Sequence, residues 1–287
     1  MNGFSITVVQ HNPIDCSTIE EFNQNIKISC DWIDRAVAQY PSTDMVVFCE
    51  FGIGGANPSP NYDVPVVMPT DRLDVLLEKC KEKHIWACFN FQEREGDDFY
   101  NTSLIVNSEG EIALKYRKVN TFVPLEQNCA GDELPVCTGP KGSVLGMMIC
   151  YDGDYPEVAR ELATKGANVI IRMTGYMEPY SYPWQFTTKA RAYENTAYVV
   201  SCNRAGTTDL VWFGRSEVCD FDGKTILQAP ELEEWMGNVV VYPELAEEKR
   251  SEKRIFNHLY NMKHRGYTES NLEGNTKNPY NFYKNWD

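Results

Sequence analysis

The sequence predicts an α/β fold in a single large domain. Apolar runs of strand length alternate with amphipathic helical segments through most of the chain, a pattern typical of βαβ units. No Gly/Ser/Pro-rich linker, internal repeat or low-complexity stretch interrupts this alternation. With 287 residues and 43% hydrophobic residues, the chain is long enough to bury a sizeable core. These observations favour one domain over two.

The first elements are a strand and a long helix. The run FSITVVQ at 4–10 is apolar and predicts a strand. Ser17-Thr18-Ile19-Glu20 has the form of a capping box, which predicts that a helix begins there and continues to about Gln39. Apolar side chains keep helical spacing along it at Phe22, Ile26, Ile33 and Val37.

The next segment predicts four strands and one helix, and a turn joins the last two strands. DMVVFCE at 44–50 is a buried strand by its continuous apolar run. DRLDVLLEKCKEKH at 71–84 is an amphipathic helix, and IWACFNF at 85–91 is the strand that follows. Two further strands, 101–107 and 111–117, are joined by the turn sequence NSEGE.

The central segment repeats the strand–helix alternation. VLGMMIC at 144–150 is apolar and of strand length. The segment 155–166 predicts a helix, with proline in its first turn and glycine at its end. ANVIIRM at 167–173 is the next strand, 183–196 has a helical pattern, and AYVVSCN at 197–203 is again a strand.

The C-terminal part contains a hairpin, a strand and a charged helix. Asp222-Gly223 marks the hairpin turn. NVVVYP predicts a strand, and a charged helix is expected over about 243–256. The remaining residues are polar, aromatic and irregular. We therefore expect one folded domain over 1–256 and a tail over 257–287 that packs on the domain or on a partner subunit.

Composition and charge exclude several classes of function. The formal net charge is −14, which disfavours nucleic acid and anionic membranes as partners. Apolar runs fall well short of the roughly 20 residues that a membrane helix needs. The apolar run near the N-terminus is also too short for the hydrophobic region of a signal peptide. The glycosylation sequon Asn101-Thr102-Ser103 is accordingly expected to be unmodified.

The ten cysteines and four histidines indicate a reducing compartment and no metal. The cysteines form no CxxC pair, and several lie inside apolar runs, so free thiols in the cytoplasm are expected rather than disulfides. There is no HExxH motif and no Cys/His cluster, so no metal site is expected.

Three predicted strands end in residues that suit acyl transfer. Glu50, Lys118 and Cys150 follow apolar strands, and Glu126 lies on the loop eight residues after Lys118. Ligands in open α/β sheets bind beyond the carboxyl ends of strands. A carboxylate can take the thiol proton during attack, and an ammonium group can stabilise the oxyanion. Taken alone, a cysteine at a strand end is more often a core residue than a nucleophile.

Several motifs resemble those of a known family. The segments FCEFG, KYRKVN…PLE and MMICYDGDYPE resemble the nitrilase superfamily of carbon–nitrogen hydrolases. The segments TTKARAYENTAYVVSCNRAG, WFGRSEVCDFDGK and NHLYNMKHRGYT extend the likeness over nearly the whole chain. Within the superfamily, the chain is most similar to the aliphatic amidases and formamidases.

The resemblance implies a fold and a mechanism. It implies a four-layer α-β-β-α sandwich, homo-oligomers (a dimer or an assembly of dimers) and a cysteine hydrolase without a cofactor. By the resemblance, Cys150 is the nucleophile and Glu50 the general base and acid. Lys118 and the backbone N–H of Tyr151 hold the oxyanion, and Glu126 positions the substrate or Glu50.

The pocket residues depart from the resembled amidases. Phe51 stands where those enzymes usually have tyrosine, Phe122 where they have tryptophan, and Tyr151 where they have an acidic residue. We expect Phe51, Phe122, Tyr151 and Tyr176 to contact the substrate, with the loop 175–184 closing the pocket. Aromatic walls of this kind predict a small linear amide as substrate, from formamide to propionamide.

Other functions stay open at this point. A nitrilase or a carbamoyl-amide hydrolase would use the same chemistry, although the superfamily's nitrilases more typically follow their cysteine with Trp-Glu. A non-catalytic binding member of the fold is disfavoured because Glu50, Lys118 and Cys150 are all present. A Cys/His protease is weaker still, since none of the four histidines lies in a recognisable protease motif.

Overall fold

The computed structural model describes residues 2–56, 63–123, 126–252 and 258–259, and over these ranges the predicted α/β class is confirmed. The strands are β1 (Phe4–Gln10), β2 (Met45–Phe48), β3 (Trp86–Glu95), β4 (Asp98–Val106), β5 (Ile112–Arg117), β6 (Val136–Thr138), β7 (Val144–Ile149), β8 (Val169–Thr174), β9 (Tyr198–Asn203), β10 (Ala205–Thr207), β11 (Val211–Phe213), β12 (Glu217–Cys219), β13 (Thr225–Gln228) and β14 (Trp235–Val241). The α-helices are α1 (Ile19–Gln39), α2 (Asp74–Lys83), α3 (Pro156–Thr164), α4 (Ser181–Asn195) and α5 (Pro243–Ser251).

Two six-stranded sheets form the centre of the molecule. The first has the order β14-β1-β2-β3-β4-β5 and the second the order β13-β12-β9-β8-β7-β6. Strands β1, β2 and β3 are parallel, as are β7, β8 and β9, while the outer strands pair antiparallel. The sheets are therefore mixed, with βαβ units at their centres and hairpins at their edges.

The sheets pack face to face between two helical layers. Strands β1 and β2 of the first sheet contact β8 and β9 of the second. Helices α1 and α2 pack together and join the core of the first sheet, and α3 and α4 cover the second through a smaller apolar cluster. All seven residues of β1 are buried, because the partner sheet covers one face of the strand and helices the other. The expected four-layer sandwich is confirmed.

Several element boundaries differ from expectation by a few residues, including those of α1, α4 and β14. The capping box at α1 is one residue later than predicted: Thr18 accepts from the backbone N–H of Glu21, whose carboxylate accepts from Thr18 N–H. Helix α4 begins at Ser181 instead of 183, because proline is tolerated in a first helical turn. Strand β14 begins three residues earlier than predicted, because its pairing with β1 extends to Gln10.

The C-terminal predictions are tested in part. Helix α5 is present but ends at Ser251, because Glu252 has an extended backbone, and the rest of the predicted helix, 253–256, lies outside the described residues. The predicted tail over 257–287 also lies outside them, apart from 258 and 259. The hairpin turn at Asp222-Gly223 is confirmed between β12 and β13, with glycine at a left-handed φ of 77°.

Candidate active site

The strand ends that carry Glu50, Lys118 and Cys150 meet at one place. Strands β2 and β5 run in the same direction within the first sheet, so Glu50 and Lys118 emerge at the same edge. Cys150 follows β7 of the second sheet, and the Glu50 N–H donates to the carbonyl of Thr174 at the end of β8 (3.2 Å). The two sheets thus bring the three side chains together, as the strand-end argument predicts.

Hydrogen bonds join two acids, one lysine and one amide in a closed cluster. The Lys118 Nζ donates to Glu50 Oε1 (3.0 Å) and to Glu126 Oε2 (2.7 Å). The Asn101 Nδ2 donates to Glu50 Oε1 (2.7 Å) and to Glu126 Oε1 (2.8 Å). Glu50 Oε2 accepts from Gly175 N–H (2.7 Å), and the Glu50 carboxyl group interacts with the Cys150 side chain. We call these five residues, Glu50, Asn101, Lys118, Glu126 and Cys150, the catalytic cluster.

The electrostatics of the cluster suit proton transfer between Cys150 and Glu50. Burial raises the pKa of Glu50, while Lys118 opposes the rise and Glu126 adds to it. Burial, and then the charge of Glu50, holds the pKa of the Cys150 thiol well above its ordinary value. The thiol is therefore protonated at neutral pH, and a nucleophilic role for it would require a base to take its proton.

Lys118 is held as a cation and Glu126 as a carboxylate. Burial by itself lowers the pKa of Lys118, but Glu50 and the neighbouring acids outweigh it and the pKa is raised above normal. Burial raises the pKa of Glu126, but Lys118 and hydrogen bonds from Phe122 N–H (2.6 Å) and Asn101 outweigh it, so that pKa is lowered. A fixed ammonium group next to the thiol can stabilise a developing oxyanion.

The backbone presents the Cys150 side chain at a sharp turn. Cys150 has a left-handed φ of 50°, which is uncommon for a residue with a side chain. The buried Arg172 guanidinium donates twice to the Cys150 carbonyl, from Nε at 3.2 Å and from Nη2 at 3.1 Å. These charge-assisted bonds hold the turn in its strained form.

Asp152 ties the cysteine turn to the lysine loop. Its Oδ2 accepts from Tyr116 Oη (2.6 Å) and Ile149 N–H (2.9 Å), and its Oδ1 accepts from the backbone and side-chain nitrogens of Asn120 (2.8 and 3.1 Å). The donors therefore lie just before Cys150 and on both sides of Lys118. This carboxylate sets the distance between the two chain segments.

Sequence reasoning missed Asn101 and Asp152 as site residues. Asn101 is 2% exposed and its amide nitrogen already binds two carboxylates, so the sequon that it begins is not accessible to modification. Its place could have been found from the predicted hairpin, because pairing of β4 with β5 puts Asn101 opposite Lys118, whose N–H donates to its carbonyl (2.9 Å). No comparable local signal marks Asp152, whose partners come from two strands.

The catalytic cluster lies in a cavity of about 370 Å³. This volume is near the lower end of the range for small-molecule sites, about 300–1,000 Å³. The wall away from the cluster is mostly apolar and aromatic, with a few neutral amides. Apolar wall residues include Phe22, Val64, Phe91, Phe99, Met177 and Trp212.

The four predicted pocket residues have different positions. Phe51 and Phe122 line the cavity. Tyr151 packs edge-on against Phe122, with ring centroids 5.2 Å apart, and the Tyr176 hydroxyl donates to Asp154 (2.7 Å) behind the cysteine turn. Direct substrate contacts by all four residues stay predictions.

Gly175 has no side chain, so its backbone can lie close to both Phe51 and Glu50. A Cβ at this position would lie 3.0 Å from two ring atoms of Phe51 and 3.3 Å from Glu50 Oε2. Without that Cβ, the Gly175 N–H reaches Glu50 at 2.7 Å. Gly175 therefore helps to hold the Glu50 carboxyl group in place.

Neither a metal centre nor a membrane helix is found in the part of the chain that the structure describes. No group of three or more His, Cys, Asp or Glu side chains there could hold a metal ion. No helix within the same ranges is long and apolar enough to cross a membrane.

Comparisons with known proteins point in one direction. Residues 5–252 match the sequence model of the Carbon-nitrogen hydrolase family. The chain is 38% identical over 290 residues to a formamidase of Bacillus thuringiensis (strain Al Hakam). The alignment covers 99% of this chain and 87% of the formamidase. A formamidase of Bacillus cereus (strain AH820) has the same identity and coverage.

Solved structures show the same fold. Saccharomyces cerevisiae Nit3, a member of branch 10 of the nitrilase superfamily, superposes with a TM-score of 0.77 at 25% identity, covering 88% of this chain and 97% of Nit3. An amidase from Nesterenkonia AN1 superposes with a TM-score of 0.75 at 21% identity, covering 87% of this chain and 97% of the amidase.

Proposed function

The chain belongs to the carbon–nitrogen hydrolase family and is an amide-hydrolysing enzyme of the nitrilase superfamily, and we propose that it cleaves small aliphatic amides through a thioester on Cys150. One observation carries the proposal: a thiol, two carboxylates and an ammonium group are buried together in the lining of one cavity. The formamidase relatives support a small acyl group.

The first half-reaction transfers the acyl group to sulfur. The Cys150 Sγ attacks the amide carbon while Glu50 takes the thiol proton, and the negative charge that develops on oxygen faces Lys118 and the Tyr151 N–H. Glu50 then gives its proton to the amide nitrogen, the C–N bond breaks and ammonia leaves. The raised pKa of Glu50 helps the carboxylate to take the thiol proton and to keep it until the amide nitrogen accepts it.

The second half-reaction releases the acid. Water attacks the thioester carbon as Glu50 takes one of its protons, the C–S bond breaks, and the proton returns to the Cys150 sulfur. Glu50 Oε1 already accepts from Lys118 and Asn101, and Oε2 accepts one bond from Gly175. We therefore assign the proton shuttle to Oε2.

The charge of the cavity favours plain amides over ureido acids. A carbamoyl-amide substrate that bears a carboxylate needs a cation to receive it. Among the described residues that line the cavity, Lys118 is the one cation, and Glu50 and Glu126 already occupy it. This argues for amides without a charged group.

A substrate panel with a matched pair of cysteine variants tests the proposal. Ammonia release is measured for formamide, acetamide, propionamide, hexanamide, a ureido acid, an aryl amide and an aliphatic nitrile. We include hexanamide because the cavity is larger than propionamide requires. The small amides are expected to give the highest kcat/KM, since each methylene in an apolar pocket changes binding by about 1–3 kcal/mol.

Cys150→Ala is expected to abolish turnover while keeping the fold, and Cys219→Ala, in a buried strand of the second sheet, is expected to retain activity. Hydroxylamine added during turnover should divert the acyl group to a hydroxamate. Near wild-type turnover by Cys150→Ala would rule out the thioester, whereas a preference for the aryl amide would overturn only the substrate class.

We also propose that the protein forms homo-oligomers and works in the cytoplasm. Exposed aromatic side chains on α4, including Tyr182 and Phe186 with ring centroids 5.6 Å apart, support an oligomer, because monomers rarely expose clustered aromatics. The ten cysteines, all free, support a reducing compartment. Light scattering should give a particle mass that is a multiple of the chain mass, and Phe186→Ser should lower that mass. A monomer at micromolar concentration would contradict the proposed homo-oligomer.

A further inference from the structure

We propose that Asn101 is a positioning residue that directs proton exchange to one oxygen of Glu50 by occupying the other. The inference rests on the proposed role of Glu50 and goes beyond it, because Asn101 takes no part in bond making or breaking. It acts through Glu50 and Glu126, to each of which it donates one amide hydrogen.

The orientation of the Asn101 amide is determined by its neighbours. The Asn101 Oδ1 accepts from the Asn90 Nδ2 (2.7 Å), so the Asn101 NH₂ group must face the two carboxylates. The Asn90 amide is oriented in turn, because its Oδ1 accepts from Phe51 N–H (2.6 Å) and its Nδ2 also donates to Thr102 O (3.1 Å). A chain of aligned amides thus ends at the catalytic acids, and each bond polarises the next.

Both amide hydrogens of Asn101 are used, one on each acid. Glu50 Oε1 accepts from Asn101 and Lys118, so both of its lone pairs are occupied. Glu126 receives one bond from Asn101 and one from Lys118 on separate oxygens. A neutral double donor stabilises both carboxylates without adding charge, which a second lysine or an aspartate could not do.

The charges around Glu50 define what a substitution here would do. Lys118 and Glu126 face it within the cluster, and the thiols of Cys49 and Cys150 lie close enough to interact electrostatically. One cation is therefore shared by two acids. A third carboxylate at position 101 would raise the pKa of Glu50 through like-charge repulsion, and the base would be formed only at higher pH.

Asn101→Asp and Asn101→Ala test the proposal, and Asn168→Asp is the matched control. Asn168 is equally buried but lies just before β8, at the end of that strand away from Glu50. Its Oδ1 accepts from Val144 N–H (2.8 Å). Two properties are measured as a function of pH: kcat/KM for the best amide, and the rate of Cys150 alkylation by iodoacetamide, followed by peptide mapping. The alkylation rate needs no substrate and reports whether Glu50 can accept the thiol proton.

For Asn101→Asp, the acid limb of both pH profiles is expected to move up by at least one unit, and kcat at pH 7 to fall at least tenfold. Asn101→Ala should lower kcat at least tenfold with KM within threefold, because Glu50 Oε1 then becomes free to take the proton in an unproductive direction. Asn168→Asp should change stability without moving either profile.

Unchanged pH profiles in both Asn101 variants, with activity falling only as stability falls, would overturn the proposal. Glu50→Gln separates this failure from that of the mechanism itself. If Glu50→Gln is inactive while the Asn101 variants behave as wild type, only the role of Asn101 is refuted. If Glu50→Gln keeps full activity and alkylation, the proposed mechanism falls first.

Discussion

Asp152→Asn should weaken the fold and the active site together, because one carboxylate joins the cysteine turn to the lysine loop. Each Asp152 oxygen accepts two hydrogen bonds, and all four partner groups act as donors to the carboxylate. An amide would turn an NH₂ group toward two of those donors, whichever way it faces. The cheaper orientation faces Tyr116, whose hydroxyl can rotate to accept, and leaves the Ile149 N–H buried without a partner.

The magnitude follows from that orientation. A hydrogen bond to a charged group contributes about 1.5–3 kcal/mol, and an unpaired buried donor costs about 1–3 kcal/mol. Because these terms overlap, we expect the free energy of unfolding to fall by about 2–4 kcal/mol. The Ile149 and Asn120 N–H groups flank Cys150 and Lys118, so kcat should fall at least tenfold with a smaller change in KM.

Urea unfolding followed by tryptophan fluorescence, together with steady-state kinetics, measures both effects. Asp220→Asn is the control, since Oδ1 of that residue accepts both of its bonds and asparagine keeps that oxygen; its unfolding free energy should change by less than about 0.5 kcal/mol. Tyr116→Phe removes a single donor and gives a readable result if Asp152→Asn does not fold. A change in Asp152→Asn no larger than that of the control would refute the reasoning.

Three further perturbations have defined outcomes. His11 is buried and its pKa is lowered by that burial from 6.5 to about 4; the unfolded chain binds the proton first, so stability should fall by roughly 3 kcal/mol as the pH drops from 6.5 to 4. His11→Gln should flatten the dependence of the unfolding free energy on pH, and the exposed-site control His84→Asn should not. Equal slopes in the wild type and both variants would contradict the assignment of this dependence to His11. Lys118→Met should cut kcat by about 10²–10³-fold and move the acid limb to higher pH, because the acids lose their cation; a rise in KM alone would mean that Lys118 only binds substrate. Gly175→Ala should displace the Phe51 ring and lower kcat at least tenfold, and wild-type kinetics would show that the ring has room to move.

The sequence by itself determined the class of fold and predicted the residues to which we assign the chemistry. Strand and helix periodicity, helix capping and turn glycines depend on neighbouring residues, so α1, the hairpin at Asp222-Gly223 and the βαβ alternation could be predicted from short segments. The placement of Glu50, Lys118 and Cys150 at strand ends followed from the same local patterns. Glu126 was predicted from the family resemblance, since nothing in its own loop distinguishes it.

The tertiary structure alone decided how these residues are joined. Glu126 reaches the cluster only because Lys118, Asn101 and the Phe122 N–H all bind its carboxylate, and those donors come from different segments. Asp152 likewise acts between β5 and β7, which belong to different sheets. Hydrogen bonds between segments far apart in sequence depend on strand direction, register and sheet packing, and no local pattern encodes those distances. The sequence therefore predicted the proposed reacting groups, and the packing of the two sheets gave each group its hydrogen-bond partners.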